Sequence, residues 1–411
     1  MQLALFIAIP IALFYRISKN PRGAILNPLL YLLLFAFLYL LIPNFYIRYV
    51  IYDVYSLPIS ERSFELSQLV CQWHVLVFFV YYLCSKDAKV ELTGNRAYIG
   101  VYQLSLFVYA LLTLLYLFIL LKDVPAVWAV RGNREEALGL FHCTVQSRYK
   151  LAILNYIMFG VTTVVVWQRR KLIYLLPLAL ICVMDFSHGG RTMTFMVFVF
   201  CYINIVLITK KLYLKYAVIS VFLMILIGLF QRADLNNFWW SLYMAGAEFS
   251  NTRVTTAYII DTPKLQGSFF QHFAIAFMKI LPGGVSNKVF DIPDGMWYGE
   301  ELSEHLDLGF GLAGNIATEA IFYGGLPFGF ISPLIIGFIY FIINYLRVYR
   351  NFVGLIFVLL LCAKTQDIMR MYFYENFFYL LQILIFFLPY ITFVEYNKKM
   401  FVLKKTEIPV Q

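Results

Sequence analysis

Residues 99–121 read IGVYQLSLFVYALLTLLYLFILL, twenty-three positions without a charged side chain. As a helix rising about 1.5 Å per residue, the stretch is about 35 Å long and exceeds the roughly 30 Å hydrocarbon core of a bilayer. Working outward, comparable runs recur at about 2–15, 28–47, 66–84, 151–167, 172–186, 192–209, 212–230, 326–346, 351–366 and 376–394. The whole chain has the composition that such runs imply. Its 411 residues are 62% hydrophobic and 14% charged, with mean hydropathy +0.75. Soluble domains carry about a quarter charged residues, so a water-soluble, disordered or fibrous chain is excluded. The expected fold class is an all-α polytopic membrane protein of about 11 transmembrane helices.

The net charge of +10 would suit nucleic acid if it were clustered, but the basic residues sit in short groups between apolar runs. Loops of one parity hold Arg16, Lys19, Arg22, Lys86, Lys89, Arg96, Arg169, Arg170, Lys171, Lys210, Lys211, Lys215, Arg347 and Arg350, and the tail holds Lys398, Lys399, Lys404 and Lys405. Only Asp87, Glu91, Glu395 and Glu407 oppose them. The positive-inside rule makes this parity cytoplasmic, with the N-terminus outside and the C-terminus inside. Met1–Tyr15 lacks a basic leader region and a small-residue cleavage site, and it reads as an anchor rather than a signal peptide. The six cysteines show neither metal-site nor disulfide spacing and read as small core residues.

Two outer segments are long enough to act. One is 122–150. The other, 231–325, is expected to fold as an extracytoplasmic cap between spans eight and nine, because it is rich in aromatics and reads as short helices separated by breakers. Helical stretches are expected to end at Asp261-Thr262-Pro263, at Pro282-Gly283-Gly284 and at Gly324-Gly325-Leu326-Pro327. The sequence has no P-loop, no His-Glu-x-x-His and no zinc-type cluster. No metal site and no cofactor are therefore expected.

What remains is a set of ionisable side chains expected at the outer helix ends. Arg191 stands in the turn His188-Gly189-Gly190-Arg191-Thr192, with Asp185 just before it. Arg232 follows span eight, and Arg253 lies in the first cap helix. Arg370 lies between Asp367 and Glu375 in a short late loop. Glu319 is the one acid of the apolar stretch 315–323. Arginine forks suit phosphate oxygens, and a carboxylate in apolar surroundings suits a proton acceptor. Trp239 and Trp240 offer stacking faces for sugars, and His305 is a further candidate substrate contact. Plainer readings stand beside these. Arg191 pairs with Asp185 or caps a helix, Arg232, Arg253 and Arg370 are interfacial anchors, Glu319 is a first-turn acid, and the two tryptophans form an interfacial belt. Lys364 inside span ten has no explanation at this level.

From residue 180 to 395 the order of features resembles the Wzy-type O-antigen and oligosaccharide repeat-unit polymerases of bacteria. Gly189-Gly190-Arg191-Thr192 opens a span and a large outer loop follows. That loop carries Met278-Lys279-Ile280-Leu281-Pro282-Gly283-Gly284, then Gly309-Phe310-Gly311-Leu312-Ala313-Gly314-Asn315, Glu319 and Gly324-Gly325-Leu326-Pro327-Phe328-Gly329. Arg370 follows in a late outer loop. The resemblance implies a glycosyltransferase of the bacterial cytoplasmic membrane whose site faces the periplasm. It would join repeat units carried on undecaprenyl pyrophosphate. Arg191, Arg370 and Arg253 would hold the donor pyrophosphate, and Glu319 would activate or orient the acceptor hydroxyl. A chain-length regulator and a flippase would be partners, and nucleic acid would not. O-antigen ligase and lipid-linked sugar flippase are the alternatives.

Overall fold

A computed structural model of the chain describes residues 1–45, 59–87, 99–132, 134–190, 192–213, 215, 252–266, 269–278, 280, 314–346, 352–370, 372–374 and 376–382. Every regular element among them is helical, and none is a strand. Seven helices are long and apolar enough to cross a membrane: Gln2–Lys19, Pro28–Phe45, Glu61–Cys84, Gln103–Lys122, Leu151–Arg169, Thr192–Thr209 and Ile316–Tyr345. Each matches an expected span. Apolar side chains such as Leu3, Ile11, Phe14, Phe107, Leu114 and Leu121 stand exposed on them, as suits a lipid-facing surface. The expected span 172–186 is instead a 3-10 turn, Leu172–Leu175, followed by a ten-residue helix, Leu178–Ser187. Pro177 between them has no N–H to carry a helical ladder through. The expected span 212–230 and most of 376–394 lie outside the described residues.

The chain divides into two compact units. One comprises Met1–Ala88, Ile225–Val348 and Lys364–Gln382, and the other Lys89–Met224, Tyr349–Ala363 and Ile383–Gln411. In the first, Pro28–Ala36 is buried on almost every face, with Leu29, Leu32, Leu33 and Ala36 fully so. It packs on Glu61–Cys84, which in turn lies along Ile316–Tyr345. Trp73 Nε1 donates to the Phe330 carbonyl at 2.9 Å and Tyr81 OH to that of Leu334 at 3.2 Å. Arg16 closes the far end of Glu61–Cys84. Its guanidinium donates to the carbonyls of Tyr82 (2.6 Å) and Leu83 (3.2 Å) and also bonds Ser85, satisfying helix-terminal acceptors that have no ladder partner.

The opposite end of Glu61–Cys84 is tied to helix 252–261. Asp261 Oδ1 accepts from Ser60 Oγ and, at 2.7 Å, from Ser63 Oγ. Partial burial pushes the Asp261 pKa up, but the hydroxyl and backbone donors around Ser60 outweigh it and hold the carboxyl below its ordinary 3.8. A depressed carboxyl contributes stability at neutral pH and loses it as pH falls through the depressed value. Acid melting of the full chain should therefore show a loss below about pH 4 that is absent from Asp261→Asn.

In the second unit, Leu151–Arg169 packs on Ile99–Lys122, and Tyr116 OH donates to Asn155 Oδ1 at 2.7 Å inside that contact. Trp167 Nε1 donates to Asn204 Oδ1 at 2.8 Å. The segment 122–150 holds the short helices Val124–Ala129 and Arg134–Phe141. Its two ends meet where Tyr149 OH donates to Asp123 Oδ2 at 2.7 Å.

Candidate functional site

The apolar helix Ile316–Tyr345 breaks where the sequence places its Gly-Gly-x-Pro. Gly324 is non-helical, and Gly325 sits at φ 68°, ψ −175°, a conformation open to glycine alone. Pro327 removes the next ladder donor. The break leaves residues 316–323 as a half-helix whose every residue is buried. Asn315 caps it, accepting from Ala317 N (2.9 Å) and Thr318 N (3.1 Å), while Thr318 Oγ1 accepts from Asn315 N to complete a capping box.

That cap also reaches across to helix 252–261. Asn315 Nδ2 donates to the Thr252 carbonyl at 2.7 Å and to Thr256 Oγ1 at 2.9 Å. Thr256 and Thr318 share a hydroxyl contact of 2.8 Å. These bonds bracket Arg253, which is fully buried. Its Nε donates to Asn44 Oδ1 at 2.9 Å, and Cys71 lies within electrostatic reach of its charge.

One turn further along the half-helix, Glu319 is 1% exposed. Its Oε2 accepts from Phe373 N at 2.6 Å and its Oε1 from Tyr374 N at 3.3 Å. The two donors lie three and four residues after Arg370, the last residue of helix Phe352–Arg370. Aromatic rings surround the contact, with Phe328 stacked on Tyr374 and Phe273 edge-on to it. The sequence places Glu319 in apolar surroundings, and so does the structure. The backbone donors engage the carboxylate in addition, which the sequence did not indicate. The half-helix therefore joins the segment of Arg253 on one side to the turn after Arg370 on the other.

Below Arg370, four consecutive buried polar residues fill the helix. Lys364 and Asp367 form an ion pair, Thr365 Oγ1 meets Tyr340 OH at 3.1 Å, and Gln366 Nε2 donates to Tyr39 OH at 2.7 Å. Lys364, the residue without an explanation at the sequence level, thus has an acid partner one helical turn away.

Asp185 belongs to the other unit. Its Oδ2 accepts from Thr194 N (2.8 Å) and Thr194 Oγ1 (2.9 Å), near the start of helix Thr192–Thr209. Its Oδ1 lies 3.8 Å from His188 Nε2, and Phe141 stacks on that imidazole. With Gln146 and Asn155 these residues line a partly open cavity of about 80 Å³. Gly190 is pressed against them, since a Cβ there would stand 2.3 Å from Asp185 Oδ1 and 2.5 Å from His188 Nε2. Gly190→Ala should cost about 1–3 kcal/mol, as overpacking does, measurable as a lower midpoint of thermal unfolding. An unchanged midpoint would mean that Asp185 and His188 do not form this contact.

Arg191, Arg232, Trp239, Trp240 and His305 lie outside the described residues. Glu319, Arg253 and Arg370 come together in one unit. Asn44, Thr252, Thr256 and Asn315 join them, and none of these four stood out in the sequence. Their only local signal is polarity at the ends of apolar runs. Gly309-Phe310-Gly311-Leu312-Ala313-Gly314 has the spacing of a dinucleotide-binding turn, which needs a preceding strand for its context; residues 281–313 lie outside the described residues. Among the described residues no group of three or more His, Cys, Asp or Glu side chains could hold a metal ion.

Compared with protein-family models, with curated proteins and with solved structures, the chain matches none.

Proposed function

We propose that the chain is a membrane glycosyltransferase of the repeat-unit polymerase type. It would join oligosaccharides carried on undecaprenyl pyrophosphate at the outer face of the bacterial cytoplasmic membrane. The observation that carries the reading is that Arg253 and Glu319, both buried, share one compact unit with the half-buried Arg370, and that Glu319 holds the turn after it, although 51 to 66 residues separate neighbours in the sequence. Buried charges are costly, and in membrane proteins they mark functional sites by default. In this reading Arg370 and Arg253 bind the donor pyrophosphate and stabilise the charge that builds on it as it leaves. The acceptor hydroxyl oxygen attacks the anomeric carbon. The bond from that carbon to the pyrophosphate oxygen breaks, and the pyrophosphate departs with the electron pair. Glu319 accepts or orients the hydroxyl proton through lone pairs its backbone bonds leave over. The route needs no nucleotide, and chain-length regulator and flippase would act with the enzyme.

Deleting the gene in its host and running the surface polysaccharide on a gel tests this. Single-repeat material in place of a ladder is the expected result, and Arg370→Ala should fail to restore the ladder. Loss of single units as well would point to the ligase or the flippase instead. An unchanged ladder would overturn the reading.

A second reading, a lipid-linked sugar flippase, draws on two observations: the helix broken at Gly324-Gly325 and the buried pair Lys364–Asp367. Broken helices and interior charges are features of transporters. Movement of a labelled lipid-linked sugar across proteoliposomes containing the purified chain, without bond formation, would favour it.

A further inference from the structure

Among the described residues, no acid pairs with the charge of Arg253. The side chain is fully buried, yet Nη1 and Nη2 have no hydrogen-bond partner among the described residues, nor does Nδ2 of Asn44. Asn44 is itself 7% exposed. The amide orientation is set by its other end, because Oδ1 is the only side-chain atom of Asn44 able to accept from Arg253 Nε. Its NH2 group is thereby left beside the guanidinium. Of the described acids of the same unit, Glu61 and Glu65 are exposed on their helix and the others are engaged elsewhere. Glu319 holds the backbone of Phe373 and Tyr374, Asp367 holds Lys364, Asp261 holds Ser60 and Ser63, and Asp87 lies by Arg16. A buried guanidinium with one acceptor for its five N–H groups and no counterion among the described residues is expensive. Three adjacent NH2 groups with no acceptor are complementary to an oxyanion with several, and arginine forks suit phosphate in particular.

We propose that Asn44 and Arg253 form a buried, donor-only niche for one phosphate group, with Asn44 orienting the guanidinium through Nε and supplying a third donor itself. The niche follows from geometry alone. Its assignment to a lipid-borne phosphate, rather than a free one, rests on the glycosyltransferase reading above.

Melting curves of the purified full-length chain in nanodiscs test the proposal, using undecaprenyl pyrophosphate, undecaprenol, inorganic pyrophosphate and inorganic phosphate as separate probes. Undecaprenyl pyrophosphate should raise the melting temperature and undecaprenol should not. Arg253→Gln should weaken half-saturation at least tenfold. Asn44→Asp should act with the opposite sign on the bare protein. It places a carboxylate against Arg253, so the variant should melt higher than wild type without probe and no longer respond to phosphate. That pairing of effects separates a ligand site from a structural arginine, and it keeps the test open if Arg253→Gln does not fold. An equal response to inorganic pyrophosphate would support the niche with a free phosphate as its occupant.

No response of wild type to any phosphate probe would overturn the niche, as would an unchanged response in Asn44→Asp. Asp53, nine residues beyond Asn44 in the sequence and outside the described residues, is the rival candidate for the counterion. If Asp53→Asn lowers melting as much as Arg253→Gln and wild type ignores phosphate, the counterion belongs to the chain and the niche is wrong. A phosphate response in a chain whose deletion leaves the ladder intact would sustain the niche and sink the polymerase reading.

Discussion

Glu319→Ala is expected to unfold the region around Arg370 and to abolish the polysaccharide ladder in a complementation assay. The substitution strands the N–H groups of Phe373 and Tyr374 in an apolar, aromatic surround. Each stranded donor costs about 1–3 kcal/mol, so the total loss should be about 2–6 kcal/mol in thermal or denaturant melting of the purified chain. Glu319→Gln keeps the shape and one acceptor oxygen, but turns an NH2 toward the second backbone donor. It should melt between wild type and Glu319→Ala. The two roles of the carboxylate separate here. If Glu319 only holds the backbone, activity of Glu319→Gln at a temperature where it is folded should match wild type. If it also takes or orients the acceptor proton, activity should vanish in the folded protein. A Glu319→Ala chain that melts with wild type would mean the half-helix does not hold the turn after Arg370.

Lys364 and Asp367 should show the largest non-additivity in the molecule. Both are more than 90% buried and paired with each other. Lys364→Met alone leaves an uncompensated carboxylate, and Asp367→Leu alone an uncompensated ammonium; each should cost about 3–5 kcal/mol. The double substitution Lys364→Met with Asp367→Leu removes both charges and should recover most of that loss, because apolar replacement of a buried pair is often neutral or stabilising. A double-mutant cycle on melting free energies reads this directly. Additive single effects would show that the two charges do not sense each other. Activity of the double variant carries separate information. Retained activity assigns the pair to helix packing, whereas a folded but inactive double variant assigns it to function.

Local features of the structure were the most legible. The break at Gly324-Gly325-Leu326-Pro327 and the end of a helix at Asp261 depend on residues without a Cβ or an N–H, so backbone sterics placed them before any tertiary contact was known. The apolar runs likewise located the seven helices long enough to span. Pro177 was the local signal that could have shown the helix at 172–186 to be shorter. The polar tetrad Lys364-Thr365-Gln366-Asp367 also carried an unread message. Four successive residues on a helix point in all directions around it, so if all are buried the helix must be enclosed by protein on every side. Only Lys364 drew attention, as an exception without a partner.

The roles of the polar residues could not be read in this way. Asn44 is one amide at the end of an apolar run, and Thr252 and Thr256 are ordinary helix residues. What distinguishes them is their neighbours, and those come from segments more than fifty residues away. Hydropathy and breakers are properties of short windows, so the sequence by itself determined a helical chain suited to a membrane, the sites where helices stop, and the list of charges that must be accounted for. Which charges share a site was decided by tertiary structure alone. Burial in a low-dielectric interior makes each polar atom seek a partner, and the partners of Arg253 and Glu319 are supplied by the packing of helices that are far apart along the chain.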